Sequence, residues 1–332
     1  MPRINAWQDG ATLALDREMR SITLTVVTRA LLSGDVGTEV TGEMERLLHV
    51  LLAGLMPSGV MAQVPFLGRI PSRSNLRFNR AGRRLGAILA DIIEQYHAAD
   101  GDHGDLMSIL LHARDDETGT GMTGSQLREE ATTLVIAGSE TTGNTLAWAC
   151  YLLTQHPEVQ ARVQREADLV LAGEDADYDA LARLPLTRDH RGAAPVPPGV
   201  DTAPAGGRRC RTRRVPAPGG QRDRVQPVRA QPRSAGAQRP RTLQPRPVER
   251  FNPGRWAVGY TRPDLRASFL PFGQGIRNCI GERFAWAETV LMLSAITARW
   301  QLRLADGACV HPVTSSTLVP DQLPIVVSRR ST

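Results

Sequence analysis

No lysine occurs in the sequence, and all 40 of its basic residues are arginines. Such one-sided usage indicates a GC-rich gene and favours a bacterial source. Long hydrophobic runs are also missing: the most apolar stretch, 47–67, is interrupted by Pro57 and Pro65, which excludes it as a membrane span. Residues 1–10 lack the basic and apolar regions of a secretory signal, and the four cysteines lack zinc-type spacing. These absences predict a globular cytoplasmic protein without a membrane anchor.

Acidic and apolar residues are scarce in one segment, 189–248, which holds thirteen arginines against three aspartates. The net charge of the whole chain is +6, so the remainder is acidic and the basic character belongs to this segment. It contains a single leucine and no isoleucine, methionine, phenylalanine, tryptophan or tyrosine. Such a composition cannot bury enough apolar area to offset its ordering entropy. One interpretation is a disordered basic linker for nucleic acid or an acidic partner, although no aromatic residue is present for base stacking.

Apolar residues at helical spacing predict helices over 16–32, 42–55, 81–96, 105–113, 127–155 and 158–171. The longest is preceded by Thr123 and Gln126, a pair that can form a capping box, so this helix is expected over about 123–155. Short apolar runs within 302–329 predict strands and loops. The sequence therefore predicts a mainly α fold with a small β portion. Its parts are a helical region over 1–188, the arginine- and proline-rich segment over 189–248, and a C-terminal region over 249–332.

The strongest chemical motif is the ten-residue run 272–281, FGQGIRNCIG, which precedes a helical pattern. A thiolate at such a position is stabilised by the helix N-terminus, and glycines let the backbone approach a flat cofactor. The order of these residues resembles the haem-binding loop of the cytochrome P450 family. That resemblance implies that Cys279 is the metal ligand, binding the haem iron. It also implies haem contacts from Phe272, Gly273, Gly275, Arg277 and Gly281, with the arginine pairing with a propionate. From the residues alone, the alternative is a buried free thiol in a glycine turn.

A second motif, AGSETT, lies inside the longest predicted helix at 137–142. Glycine and clustered hydroxyls weaken a helix interior, which indicates a role other than helix stability. The motif resembles the oxygen-binding turn of the distal helix in the same family, where small residues open a groove for dioxygen. The resemblance implies that Ala137 and Gly138 line the haem pocket, that Thr141 hydrogen-bonds dioxygen, and that Glu140 relays protons as a general acid. A kinked core helix with hydroxyl capping is the alternative interpretation.

A third match, ERFNPGRW at 249–256, resembles the family's loop before the haem motif, with Arg250 in a structural Glu–Arg–Arg cluster. The resemblance implies a P450-like fold, a haem b cofactor and a haem-thiolate monooxygenase. Such an enzyme inserts one atom of O2 into a small hydrophobic organic substrate and reduces the other atom to water. Because no reductase domain is seen in the sequence, electrons are expected from a ferredoxin with its reductase, or from a flavodoxin-type donor. The protein is expected to act as a monomer, with neither nucleic acid nor a membrane as partner.

The chain departs from the family pattern in two places. A Glu-x-x-Arg helix is expected between the long helix and Arg250, and its place falls within 189–248. Reading the codons one base forward permits Glu-Glu-x-Leu-Arg after 184–187 and His-x-Asp-Pro near 237–241, so we interpret the segment as frameshifted. The region before Trp7 would lack a sizeable N-terminal part of the family's usual chain, so an incomplete P450 fold is expected. The alternatives are an inactive relic of such an enzyme and a basic binding protein that acts through 189–248.

Overall fold

The computed structural model describes residues 2–32, 37–62, 73–99, 103–184, 187, 271–273, 275–314 and 317–330. Its helices are α1 (Pro2–Asn5), α2 (Leu15–Leu31), α3 (Thr38–Ala62), α4 (Arg73–Ala99), α5 (Leu106–His112), α6 (Gly124–Gln155), α7 (Pro157–Leu171) and α8 (Glu282–Arg299). The strands are β1 (Thr12–Ala14), β2 (Trp300–Leu304), β3 (Pro312–Thr314), β4 (Leu318–Pro320) and β5 (Pro324–Arg329), and 3-10 turns cover Tyr178–Arg183 and Gly275–Arg277. Every predicted helix is present. Helices α3 and α4 begin before their predicted starts, because 38–41 and 73–80 are mostly polar, and α3 continues past Pro57, which interrupts the apolar pattern.

The longest helix, α6, begins at the capping box that the sequence predicts. The Thr123 hydroxyl accepts a hydrogen bond from the Gln126 N–H at 3.3 Å, and the Gln126 side chain accepts one from the Thr123 N–H at 2.8 Å. This reciprocal pair satisfies two N–H groups that lack partners at a helix start. At the other end Pro157 opens α7, a position where the missing N–H of proline has no helical partner to lose. The prediction of a helix over about 123–155 is confirmed.

Helix α2 packs closely against α6 at two glycines. A Cβ on Gly138 would lie 2.7 Å from Val27 Cγ2, and a Cβ on Gly143 would lie 2.9 Å from the Arg20 Cα. Both distances are shorter than van der Waals contact, so glycine is what permits this approach. The glycines of α6 therefore decide how near the two helix axes come.

The main core lies where α2, α3, α4 and α6 meet. Buried apolar side chains there recur at spacings of three and four residues along each helix, which is the pattern that predicts those helices. They include Leu24, Val27, Leu31, Met44, Leu48, Leu85, Leu89, Ile92, Leu127, Ala131 and Val135. Burial of apolar area is the main favourable term in folding, so this cluster fixes α6 within the helical part.

Two small antiparallel sheets complete the described fold. In the first, β5 lies between β1 and β2, with Leu13 opposite Ile325 and Leu302 opposite Val327. In the second, β3 pairs with β4. Strands within 302–329 are confirmed, whereas β1 was not predicted, because three residues are too few to show an alternating pattern. Within the described ranges, no helix has both the length and the apolar character needed to cross a membrane.

Candidate functional site

Two glycines with left-handed backbone angles shape the cysteine loop. Gly273 has φ 78° and Gly275 has φ 79°, a region that residues with a Cβ rarely enter. Residues Gly275–Arg277 form a 3-10 turn, and the Cys279 N–H donates to the Phe272 carbonyl at 2.9 Å. That hydrogen bond closes the loop and brings its two ends together. The turn itself therefore requires these glycines, whether or not a cofactor lies against them.

Cys279 lies just before α8, and its thiol is exposed and free. Gly281 is the N-cap of the helix, and a Cβ at that position would lie 3.8 Å from the cysteine sulfur. The neighbouring Ile276 and Ile280 are 101% and 93% exposed, so the described residues leave apolar side chains of the loop uncovered. Uncovered apolar side chains of this size indicate a surface that binds something. An exposed thiol beside exposed apolar side chains fits a flat apolar group bound through the sulfur. It does not fit the alternative of a thiol buried in the core.

One face of α6 carries a stripe of small exposed residues. Thr133, Ala137 and Thr141 are exposed at four-residue spacing, so they share one side of the helix. The flanking Glu140 and Thr142 are buried. The Thr141 hydroxyl donates to the Ala137 carbonyl at 2.6 Å, which holds this side chain on the exposed face. We call Thr133, Ala137 and Thr141 the distal stripe, and a flat ligand can lie against it.

Gly138 and Glu140 face away from the distal stripe. Gly138 makes room for α2, and the Thr23 hydroxyl of α2 donates to the neighbouring Ser139 carbonyl at 2.6 Å. Glu140 is 6% exposed and, with Ser139, lines a cavity of about 840 Å³ between α2, α3, α6 and the β3–β4 sheet. The charged and titratable side chains that share its walls are Asp16, Arg17, Arg20, Glu45, Arg46, His49 and Asp321. Glu140 therefore borders a cavity that has both charged and apolar side chains in its walls, on a different flank of α6 from Thr141.

A buried acid that the sequence reasoning missed lies in α8. Glu288 is 5% exposed, and neither of its carboxylate oxygens has a hydrogen-bond partner at normal distance and angle. The Thr142 hydroxyl of α6 is near enough to act on it. Burial raises the pKa of Glu288 to about 8, and Thr142 acts in the opposite direction. A single acid in the run 284–293, FAWAETVLML, whose other residues are apolar apart from Thr289, is the sequence signal that could have found it.

The ten predicted site residues fall into two groups, one in the loop before α8 and one in α6. The loop group is Phe272, Gly273, Gly275, Arg277, Cys279 and Gly281, and the α6 group is Ala137, Gly138, Glu140 and Thr141. The loop group leads into α8, which packs against α6, and the Phe272 ring meets Trp286 of α8 edge-on with centroids 5.1 Å apart. Arg277 is exposed at the end of the 3-10 turn. Arg250 and the place expected for Glu-x-x-Arg lie outside the described residues.

Comparison with known proteins identifies the family. The family model described as Cytochrome P450 matches residues 5–189 and 239–327, which is most of the chain. The chain belongs to the cytochrome P450 family. This P450 is 33% identical over 331 residues to the cyclooctat-9-en-7-ol 5-monooxygenase of Streptomyces melanosporofaciens, covering 98% of this chain and 70% of that protein. It is 30% identical over 314 residues to the pentalenene oxygenase of Streptomyces avermitilis, covering 94% and 68%.

Solved structures agree on the fold. The retinoic-acid-bound structure of a cyanobacterial P450 matches with a TM-score of 0.72 at 20% identity, covering 99% of this chain and 72% of that one. The prediction of a mainly α P450 fold with a small β portion, incomplete relative to other P450s, is confirmed. The resemblance to a bacterial-type P450 monooxygenase is confirmed as well. Membership implies a haem cofactor, O2, an organic substrate and an electron-transfer partner.

Proposed function

We propose that this P450 binds haem between the distal stripe and the loop 271–281, with Cys279 as the ligand to iron. The observation that carries this proposal is the exposed free thiol of Cys279, placed directly before α8 in a loop with two left-handed glycines. The uncovered isoleucines of the loop and the small side chains of the stripe offer surfaces for a flat apolar macrocycle. The donor also fits, since a cysteine thiolate is an established haem-iron ligand.

When bound, haem would supply the activation of O2, and Cys279 as its thiolate ligand would favour cleavage of the O–O bond. The contribution of the loop is orientation. The hydrogen bond from the Cys279 N–H to the Phe272 carbonyl fixes the backbone next to the sulfur. Arg277, exposed beside the loop, is placed to pair with a carboxylate of the cofactor. Gly281 leaves that side of the sulfur open, since even a Cβ there would lie 3.8 Å from it, at ordinary van der Waals distance.

In this proposal Thr141 hydrogen-bonds dioxygen and Glu140 relays protons. The Thr141 hydroxyl now donates to the Ala137 carbonyl, so its oxygen remains able to accept a hydrogen bond from water or ligand on the stripe. Rotation away from that carbonyl lets the same hydroxyl donate to dioxygen. Glu140 precedes Thr141 in α6 and borders the 840 Å³ cavity on another flank of the helix, so a relay from Glu140 to Thr141 would pass around α6 through an intervening water. A general acid must reach the group that it protonates directly or through one water.

The proposed substrate is a small hydrophobic, terpenoid-like molecule. Two relatives are named for oxidising cyclooctat-9-en-7-ol and pentalenene, and these names support a largely hydrocarbon ring compound here. We propose that electrons come from a separate ferredoxin with its reductase, or from a flavodoxin-type donor. The test is incubation with such a donor, O2 and each of the two named compounds. Products that gain one oxygen atom support the substrate class, and consumption of electrons without such products contradicts it.

Spectroscopy of the haem-loaded full chain tests the role of Cys279 directly. The reduced, carbon-monoxide-bound protein is expected to show the long-wavelength Soret band of thiolate ligation. Cys279→Ser is expected to abolish that band. Cys150→Ala is the matched control, because Cys150 is a free cysteine buried in α6, and it is expected to keep the band. A thiolate band that survives in Cys279→Ser would refute the assignment of the ligand.

We also propose that the segment of about 189–248 is read out of frame in this sequence. The family model stops at residue 189 and resumes at 239, which supports a break in the family pattern over 190–238, most of this segment. Sequencing the gene from upstream of Met1 through the codon for Trp256 tests it. A compensating pair of single-base changes near the two ends supports the proposal. A confirmed frame favours an inactive relic, and salt-dependent binding of the segment to nucleic acid would favour the basic binding protein.

A further inference from the structure

Two buried side chains of α6 attach the strand β4 to this helix. The Asn144 amide group donates to the Thr317 hydroxyl at 2.7 Å, and the Trp148 indole N–H donates to the Leu318 carbonyl at 3.0 Å. Asn144 and Trp148 are four residues apart, so they share one side of α6, and they are 4% and 2% exposed. Thr317 and Leu318 are successive residues, so α6 holds the beginning of β4 at two points.

Packing alone does not explain an asparagine at position 144. Asparagine is a weak helix former, and the Asn144 carbonyl oxygen is buried without a hydrogen-bond partner among the described residues. An unsatisfied buried oxygen is destabilising, whereas a leucine of similar shape would avoid this loss. The amide N–H group, which leucine lacks, makes the bond to Thr317. That bond is therefore the contribution that asparagine makes at this position.

The β3–β4 sheet that is attached in this way is also a wall of the cavity beside Glu140. Val313 and Val319 lie opposite each other in the sheet. Both line the cavity, as do Pro320, Asp321 and, from α6, Glu140 itself. The position of this wall relative to α6 depends on how β4 is held to the helix. A displacement of β4 therefore changes the cavity that Glu140 borders.

The other end of the sheet is joined by its own hydrogen bonds. The His311 N–H donates to the Asp321 carboxylate at 2.8 Å, and the Asp321 N–H donates to the His311 carbonyl at 2.9 Å. His311 directly precedes β3, and Asp321 directly follows β4. Because these bonds do not involve α6, the two strands stay joined at that end when the attachment of β4 to α6 is lost. We therefore expect the wall to move as one piece.

We propose that Asn144 is a positioning residue that holds the β3–β4 sheet on α6 through Thr317 and so fixes this wall of the cavity. The inference rests on the proposed function, because it concerns the water through which Glu140 relays protons. A fixed wall keeps that water in place, whereas a displaced wall admits further water, and proton delivery to Thr141 is then less controlled. In that case O2 takes two electrons from the ferredoxin- or flavodoxin-type donor and two protons from water, and it leaves as hydrogen peroxide while the substrate stays unoxidised.

Hydrogen exchange of the full chain tests the attachment without haem. Asn144→Leu and Thr317→Val, which each remove one partner of the bond, should speed exchange of the β3 and β4 amides several-fold, because locally opened backbone exchanges faster. The double variant should be no faster than either single variant, since both remove the same bond. The amides of β1, β2 and β5 should exchange at the wild-type rate in all three.

Two control variants keep the attachment. Thr317→Ser retains the hydroxyl and should match the wild type, as should Thr154→Val, which removes a hydroxyl of α6 that donates to the Tyr151 carbonyl instead. Wild-type exchange of the β3 and β4 amides in Asn144→Leu or in Thr317→Val would overturn the proposal. If Asn144→Leu does not fold, the comparison of Thr317→Val with Thr317→Ser decides the question.

The share of donor electrons that ends in hydrogen peroxide separates positioning from a purely structural role. Compared at equal thiolate Soret intensity, this share should rise several-fold in Asn144→Leu and Thr317→Val and stay at the wild-type level in both controls. In a Glu140→Gln background, Asn144→Leu should raise it little further, because the relay that the cavity serves is already lost. An unchanged share in Thr317→Val, or a full additional rise in the Glu140→Gln background, refutes the positioning role. Absence of a thiolate Soret band in the wild type refutes the proposed function instead, and the exchange measurement is unaffected by that failure.

Discussion

The substitution Gly143→Ala, which adds one methyl group, tests how closely α2 packs against α6. In an unobstructed helix, alanine is more favourable than glycine by about 1 kcal/mol. At Gly143, the new Cβ would lie 2.9 Å from the Arg20 Cα and 2.9 Å from the Thr23 hydroxyl oxygen. Carbon atoms pack best at about 3.5–4.0 Å, and a backbone atom cannot rotate away. Helix α2 must therefore shift, and overpacking of this kind costs about 1–3 kcal/mol.

The matched control for this substitution is Gly86→Ala in α4, where an added Cβ has no atom within 4 Å. Both variants gain the same helix propensity, so the difference between their free energies of unfolding isolates the packing cost. Urea denaturation followed by circular dichroism should place Gly143→Ala about 1–3 kcal/mol below Gly86→Ala. Equal unfolding midpoints for the two variants would refute the close packing of α2 on α6. Gly138→Ala should also destabilise, and adding Val27→Ala should recover part of the loss, because there the obstruction is a side chain.

Three further measurements probe other parts of the structure. The folded state keeps a proton on Glu288 up to about pH 8, whereas the unfolded chain loses it near 4.5, so wild-type stability falls as the pH rises between these values. At about 1.4 kcal/mol per pH unit, the free energy of unfolding falls by roughly 3 kcal/mol by pH 7. Urea denaturation of Glu288→Gln at several pH values should show no such dependence on pH. The same pH dependence in wild type and variant would contradict the raised pKa of Glu288. Thr123→Ala should lower the free energy of unfolding by about 1 kcal/mol through loss of the α6 cap, and Thr123→Ser should restore it. In the haem-free folded chain, a thiol reagent should label Cys279 and spare Cys150, whose pKa burial raises to about 12; mass spectrometry showing label on Cys150 would argue against its burial.

Local features of this protein follow from the sequence alone. The capping box of α6 involves Thr123 and Gln126, three residues apart, so the residue types at that spacing are enough to predict it. The same holds for the cysteine loop, since its order of glycines, arginine and cysteine carries both the family resemblance and the expected site residues. Apolar periodicity located every predicted helix in the described residues. It placed the ends of α3 and α4 less well, because the first residues of both helices are mostly polar and Pro57 interrupts the apolar pattern of α3.

Only the tertiary structure decided which neighbouring helix each side of a helix packs against. The sequence suggested that Gly138 opens a groove for dioxygen, whereas the fold sets it against Val27 of α2, a contact between residues more than one hundred positions apart. Periodicity along one chain carries no information about such a partner. The same reason explains why the sequence did not reveal that Glu288 is buried. Burial and the absence of a hydrogen-bond partner define that acid, and both arise only when α8 packs on α6.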